Sequence, residues 1–362
     1  MVRILQLISG DSDYQARTTA QQLSRELGGD FAVNTSVVGH AYANRFAAVC
    51  RLRRSDAPEH DVMHAFGRAA LSAAAIAGGS PIVYSPIDAP GRRDIRWLRA
   101  VMQHRDVQVV CPTDTIRRIF VERGVPIERC HLIRPGVSFA SIKPRRNEAL
   151  RRELGFGLDD IVLFAPGEAT REAAQHIAVW TAAVLHVLDE RYRLLLWGRG
   201  PRAAAVERFI RRLGHPAMSR IAGERLGRDV PHEQLLSIAD IILITAAGPV
   251  ATLPISQSMA AGLPIVASVS PTIAELLEDR HTALFTPRNT PRQLARRVLD
   301  LQDDARLQWA ICDMARTEAY EYFSLTRMLN QYRAVLRQIA QGEPVEVPQQ
   351  APGAGLRFHG RA

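Results

Sequence analysis

The chain has 362 residues, 47% hydrophobic and 23% charged, which is the balance of an ordinary globular protein with room for two domains. No apolar run reaches the roughly 18 residues of a membrane span, and the first residues enter a strand-like segment without a signal-peptide pattern, so a cytoplasmic protein is expected. Cys50, Cys111, Cys130 and Cys312 lack metal-type spacing; reduced thiols are expected, with no metal site and no disulfide.

The net charge of +9 is carried almost entirely by arginine, Lys143 being the one lysine. Such an excess suits an anionic membrane surface, nucleic acid, a diphosphate ligand or simply a soluble arginine-rich face. Without aromatic stacking platforms or a helix-turn-helix pattern, no nucleic-acid partner is expected.

In chain order, strands are predicted at Val2 to Ile8, Val33 to Val38, Asp61 to His64, Pro81 to Ser85, Val107 to Cys111 and His131 to Arg134. A second series follows at Ile161 to Ala165, Tyr192 to Trp197, Arg220 to Ala222, Ile241 to Thr245, Ile265 to Ser268 and Ala283 to Thr286. Amphipathic helical stretches separate them, the signature of parallel sheets covered on both faces. The fold class is therefore α/β, with two doubly wound parallel sheets. One helix, within Arg92 to Arg105, sets Ile95, Leu98, Val101 and Met102 on one flank and Arg92, Arg93, Arg96 and Arg99 on another. That pattern fits a core-facing surface helix, and also a peripheral contact with an anionic bilayer at the inner membrane face. Pro135, Gly136, Lys143 and Pro144 punctuate an interdomain linker, dividing domains 1–143 and 144–322, and the Pro- and Gln-rich tail 342–362 is expected to be disordered.

Ligands of open parallel sheets bind beyond the carboxyl ends of the strands, so the loops there are the candidate sites. Gly10, in Ser9-Gly10-Asp11-Ser12-Asp13, opens the first helix and could present backbone N–H groups to an anion; Ser12 or Asp13 capping that helix explains the same residues. Gly198-Arg199-Gly200-Pro201 allows close backbone approach to a ligand, or simply a tight turn. In Pro166 to Arg171, Arg171 could reach a diphosphate, or lie solvated. Gly248, Thr252, Ser256 and Gln257 belong to a small, flexible loop running into a helix from Ile255, an arrangement suited to phosphate. His40, His64 and His176 are each expected to be packed or capping residues, with His64 at a strand end, and Trp97, Trp180, Trp197 and Trp309 are expected to fill the core.

The run Ser256 to Ser268, with Glu275 downstream, resembles the E-A-M-A-x-G-x-P-V-V-A segment and following glutamate of glycosyltransferase family 4. Asp61-Val62-Met63-His64 resembles the family's D-V-V-H strand, Gly124 to Val137 its G-V-P run before the linker, and Phe323-Ser324-Leu325-Thr326 the F-S-W-E that opens its last helix. The resemblance implies a GT-B fold, in which two Rossmann-like domains face each other across a cleft and a last helix, about 323–340, returns to the first domain. It also implies a nucleotide-diphosphate sugar as donor, bound mainly by the second domain, with no prosthetic group or metal. The acceptor, a glycan, lipid or small molecule, would be held by the first domain, and transfer would retain configuration.

The catalytic positions depart from that pattern. The family's E-x7-E falls on Pro249 and Gln257, its basic pair near Glu168 and Ala173, and its histidine near Ile87, beside Asp88. Charge on a departing diphosphate must be met by cations or helix N-termini. Arg171 and Arg199 are the remaining cationic candidates, and Asp88 is the carboxylate expected beside the oxocarbenium-like centre. The donor-binding candidates are Gly10, Gly198, Gly248, Thr252, Ser256, Gln257 and Glu275. The alternative is a catalytically inactive relative that keeps the fold as a binding or scaffold module.

Overall fold

In the computed structural model, which describes residues 1–39, 60–87, 89–142, 146–213, 218–228 and 230–347, the strand-like segments form two parallel sheets. The first comprises β1 (Val2–Ser9), β2 (Phe31–Val38), β3 (Val62–Phe66), β4 (Ile82–Ser85), β5 (Val107–Cys111) and β6 (Cys130–Leu132), in the order β2-β1-β3-β4-β5-β6. The second comprises β7 (Ile161–Ala165), β8 (Tyr192–Leu196), β9 (Ser219–Ile221), β10 (Ile241–Ile244), β11 (Ile265–Ser268) and β12 (Leu284–Thr286), in the order β12-β11-β10-β7-β8-β9. Both sheets are doubly wound but in different orders: one strand, β2, lies beyond β1 in the first, and two, β8 and β9, lie beyond β7 in the second. The chain reverses direction across each sheet between β1 and β3, and again between β7 and β10, and a ligand crevice opens outside the carboxyl ends at such a point.

Burial on both faces explains the near-continuous apolar strands. β10 reads Ile-Ile-Leu-Ile and is buried throughout. Leu163, Leu194, Leu243 and Val266 supply one face of the second core, packed against Ala178, Val179, Ala182 and Leu185 of the Gln175–Leu188 helix.

Among the described residues, compact units comprise Met1–Gly136 with the chain from Leu325 to Val347, and Val137–Ser324. The Leu325–Gln341 helix belongs to the first unit because its apolar residues recur at helical spacing. Met328, Leu329, Tyr332, Val335, Leu336 and Ile339 are buried with Ile4, Leu23, Val62, Phe66 and Val83. Arg333 donates to the carbonyls of Glu26 and Leu27 at the end of the Tyr14–Glu26 helix, at 2.8 and 3.1 Å, where a cation offsets the negative end of the helix dipole.

Several local expectations change. The helix after β10 spans Leu253–Ala260, two residues earlier than Ile255, because Pro254 is accommodated inside its first turn, where a missing N–H costs nothing. Ala222 starts a short helix rather than ending β9. Trp180 and Trp309 are 50% and 70% exposed, while Trp197 is buried. His64 lies inside β3, fully buried, not at a strand end. His176 is exposed. Residues 342–347 are placed: the Glu343 N–H donates to the Gln338 carbonyl at 2.8 Å, and Val345 and Val347 pack on the first core. Cys111 and Cys130 are buried free thiols and Cys312 is partly buried; Cys50 and His40 lie outside the described residues.

Candidate donor site in the second unit

Loops from β7, β8 and β10 meet at the carboxyl edge of the second sheet, and backbone hydrogen bonds fasten them together. The Ala169 N–H donates to the Arg199 carbonyl at 2.7 Å, and the Arg202 N–H returns to the Ala169 carbonyl at 2.8 Å. Gly200 makes that approach possible: its φ is +106°, and an added Cβ would sit 2.7 Å from both the N and the O of Ala169. Gly198, with φ +88°, faces Ile221 just as closely. On the other side, the Ala247 N–H donates to the Glu172 carbonyl at 2.7 Å, and Thr245 Oγ1 donates to the Ala173 carbonyl at 2.8 Å. Gly248 lies against the Glu172 side chain. The site is thus built on cross-bonded backbone, which limits how far its loops can drift.

Beneath these loops runs a buried polar relay. The Gly167 N–H donates to His232 Nε2 at 3.2 Å, His232 Nδ1 lies 2.9 Å from Gln257 Oε1, and Gln257 Nε2 donates to Glu233 Oε1 at 2.9 Å. A backbone N–H can only donate, so Nε2 accepts and the proton sits on Nδ1. Gln257 Oε1 then accepts from the imidazole, which leaves the amide NH2 for Glu233. Burial lowers the His232 pKa to about 4, with the Gln257 bond opposing that shift, so the ring is neutral at pH 7. Phe164 and Trp197 hold it at centroid distances of 5.3 and 5.4 Å. Trp197 is itself fixed by Nε1 donating to the Val230 carbonyl at 2.9 Å.

The cationic candidates differ. Arg199 is half-buried, with its guanidinium over the Trp197 ring at 4.9 Å, a contact that pre-orients the charge beside the loop. Arg171 is exposed. Ser256 Oγ donates to the Thr252 carbonyl at 3.2 Å within its own helix. At the start of that helix Pro254 has no N–H, and the Ile255 N–H bonds the Thr252 carbonyl at 3.1 Å, so the first turn presents fewer donors than its sequence suggests. Thr252 and Gln257 are buried and Glu275 is half-buried. His232 and Glu233 were not among the sequence candidates. Pro231-His232-Glu233 resembles any helix start, and its contact with Gln257 spans 25 residues.

In the first unit, Asp88 lies outside the described residues. Gly10 is exposed and its N–H donates to the Val38 carbonyl at 2.8 Å. Asp13 caps the Tyr14–Glu26 helix by accepting from the Ala16 N–H at 2.8 Å, so the capping reading of this loop holds for Asp13. A small cavity of about 30 Å³ lies at the carboxyl ends of β4 to β6, lined in part by Asp13, Ser85, Pro86, Pro112, Pro135 and Tyr332. Beside it His64 Nε2 pairs with Ser85 Oγ at 2.9 Å, and Ser85 also bonds Tyr332. Among the described residues, no group of three His, Cys, Asp or Glu side chains is placed to hold a metal ion, and no helix is long and apolar enough to cross a membrane.

Comparison with known proteins agrees with this geometry. Residues 160–304 match the family model described as glycosyl transferases group 1. A search of curated proteins found no match. Among solved structures, Anabaena HepE in complex with UDP and glucose aligns with a TM-score of 0.76 at 17% identity, covering 93% of this chain and all of that one. Sucrose-phosphate synthase from Thermosynechococcus elongatus aligns at 0.75 and 13% identity, over 94% of this chain and 100% of that one. WaaG, a glycosyltransferase involved in lipopolysaccharide biosynthesis, aligns at 0.69 and 15%, over 91% and 99%. The chain has the GT-B fold, an α/β architecture of two Rossmann-like units, and its residues 160–304 carry a glycosyl transferases group 1 match.

Proposed function

We propose that the protein is a glycosyltransferase that uses a nucleotide-diphosphate sugar as donor, bound by the second unit, and transfers the sugar with retention to a glycan, lipid or small-molecule acceptor held by the first. The observation that carries the reading is the cross-bonded cradle formed by the loops after β7, β8 and β10 at the reversal point of the second sheet, within the residues that match the family. Similar folds bind such ligands, as HepE does UDP-glucose. In this reading Arg199, pre-oriented on Trp197, offsets charge on the departing diphosphate, with the exposed Arg171 as the second cation and no metal required. Asp88 remains the carboxylate proposed beside the sugar carbon, and Glu275 a donor-site residue. The test is release of nucleoside diphosphate from UDP-glucose and related donors by the full chain. Turnover that falls at least tenfold in Arg199→Ala supports the reading.

A second reading, a binding module without turnover, is favoured by one observation. The motif positions hold Pro249 and Gln257 instead of carboxylates, and both polar ends of Gln257 are engaged within the protein. Donor binding without detectable turnover would select it.

We also propose a cytoplasmic, peripheral place for the protein at an anionic membrane face. Ile95 and Leu98 are buried in the first core, so the Arg92–Met102 helix meets a bilayer through its exposed Arg92, Arg93, Arg96 and Arg99. Such contact is electrostatic, without insertion, and weakens with salt.

A further inference from the structure

The Gln175–Leu188 helix lies on the outside of the second sheet, yet none of its 14 residues is an acid, a lysine or an arginine. One face packs into the core through Ala178, Val179, Ala182 and Leu185. The opposite face is apolar as well. Val187, Leu188 and Trp180 are 76%, 66% and 50% exposed, and the partly buried Ile177 and Val184 lie between them in sequence. Ile177, Trp180, Val184 and Val187 follow a 3-4-3 spacing, the seam that one helix offers to another. A solvated helix face normally carries charge there, as the neighbouring Ala203–Arg212 and Pro291–Asp303 helices do. Among the described residues nothing covers this stripe.

We propose that this stripe is a docking surface for a second copy of the chain, with the two Gln175–Leu188 helices antiparallel across a two-fold axis. Charge around the stripe selects that partner. Phe209 lies 6.3 Å from both the His176 and Trp180 rings, which brings the exposed Arg208 and Arg212 of its helix to the amino-terminal half of the stripe. The carboxyl-terminal end runs into the exposed Glu190, and the Tyr192 hydroxyl, donating to Gln302 Oε1 at 2.7 Å, brings Asp303 to the same end. Arg191 and Arg211, the other cations there, are paired with Asp189 and Glu207. One end is thus basic and the other acidic, and an antiparallel copy sets each against its opposite twice. An anionic bilayer would meet the basic end and be repelled by the acidic one. The helix is about 21 Å long, and with the near halves of its two neighbours the face covers about 500 Å² per copy, the low end of specific interfaces. The dimer is therefore weak and concentration-dependent.

The experiment is sedimentation velocity of the full chain from about 1 to about 200 μM at low salt, where wild type is expected to pass from monomer to dimer with a dissociation constant of micromolar order. Val187→Glu changes an exposed side chain, so its circular dichroism and melting midpoint should match wild type while dimerisation weakens at least tenfold. Glu190→Arg, which sets like charges together, should weaken it about threefold, and Glu190→Arg combined with Arg208→Glu should restore it. A wild type that stays monomeric at 200 μM overturns the proposal, as does a dimer indifferent to Val187→Glu. A double variant no tighter than Glu190→Arg alone overturns the antiparallel arrangement. Sedimentation with phosphatidylglycerol vesicles that Val187→Glu abolishes, without a wild-type dimer, assigns the stripe to a bilayer and overturns it too.

Discussion

Each unit encloses a fully buried histidine, and the two are wired differently. His64 sits in β3 beneath the Leu325–Gln341 helix, bonded through Nε2 to Ser85, while its Nδ1 has no protein hydrogen-bond partner. His232 uses both ring nitrogens, Nε2 accepting a hydrogen bond from the Gly167 N–H and Nδ1 donating one to Gln257 Oε1, and its chain of bonds runs out to the half-buried Glu233. The first network ends inside the core, against Tyr332, and so fixes a helix. The second ends on the half-buried carboxylate of Glu233, in the first turn of the His232–Leu236 helix, and so ties that helix to Gln257. Two histidines of equal burial thus serve packing in one unit and site architecture in the other.

The sharpest way to break this comparison is at the loops that His232 supports. Gly200→Val places a side chain on the Ala169 backbone at a φ of +106°, and should destabilise the second unit by about 4 kcal/mol and abolish nucleotide binding. Urea unfolding with a probe in each unit would show whether the loss is confined there. His232→Phe should cost about 3 kcal/mol, since it strands the Gly167 N–H and the Gln257 carbonyl without water.

Acid should find both histidines. Burial lowers the pKa of His64 to about 3 and that of His232 to about 4, against 6.5 when unfolded. Between those values the unfolded chain binds the extra proton, so the stability is fully present above about pH 6.5 and is lost as pH falls towards the folded values. Each histidine should account for about 2 kcal/mol of lost stability between pH 7 and pH 5. A melting midpoint measured across that range should fall, and fall less steeply in His64→Phe. That same variant at pH 7 should cost less than about 1 kcal/mol, because Ser85 keeps Tyr332 and an unpaired ring nitrogen is removed. The smallest effect belongs to replacing Arg92, Arg93 and Arg96 together by alanine. Stability should change by less than about 0.5 kcal/mol, while sedimentation with anionic vesicles at low salt should decline.

How much of this was legible in the sequence follows from the range of the interactions involved. Strands such as Ile161–Ala165, Val107–Cys111 and Ile265–Ser268 appear at the residues expected, because burial on both faces forces apolar β-branched runs bounded by turn residues. The loop glycines were legible for the same reason: Gly198 and Gly200 occupy backbone conformations that other residues avoid. The relay was not. Nothing local in Pro231-His232-Glu233 reveals that Gln257, 24 residues from Glu233, points its amide there. Trp180 and Trp309 misled in the opposite direction, since an aromatic on an amphipathic helix reads as core although its azimuth can face solvent. For the Leu325–Gln341 helix, the expectation that it returns to the first unit came from the resemblance at Phe323 to Thr326.

The central claim is that the second unit binds a nucleoside diphosphate. Its most direct test is a thermal-shift titration of the full chain with UDP, GDP and ADP, alongside Arg199→Ala. Binding to the folded state by one of them should raise the midpoint in proportion to the logarithm of ligand over its dissociation constant, with a smaller rise in Arg199→Ala. No shift with any of the three at millimolar concentration would contradict the account.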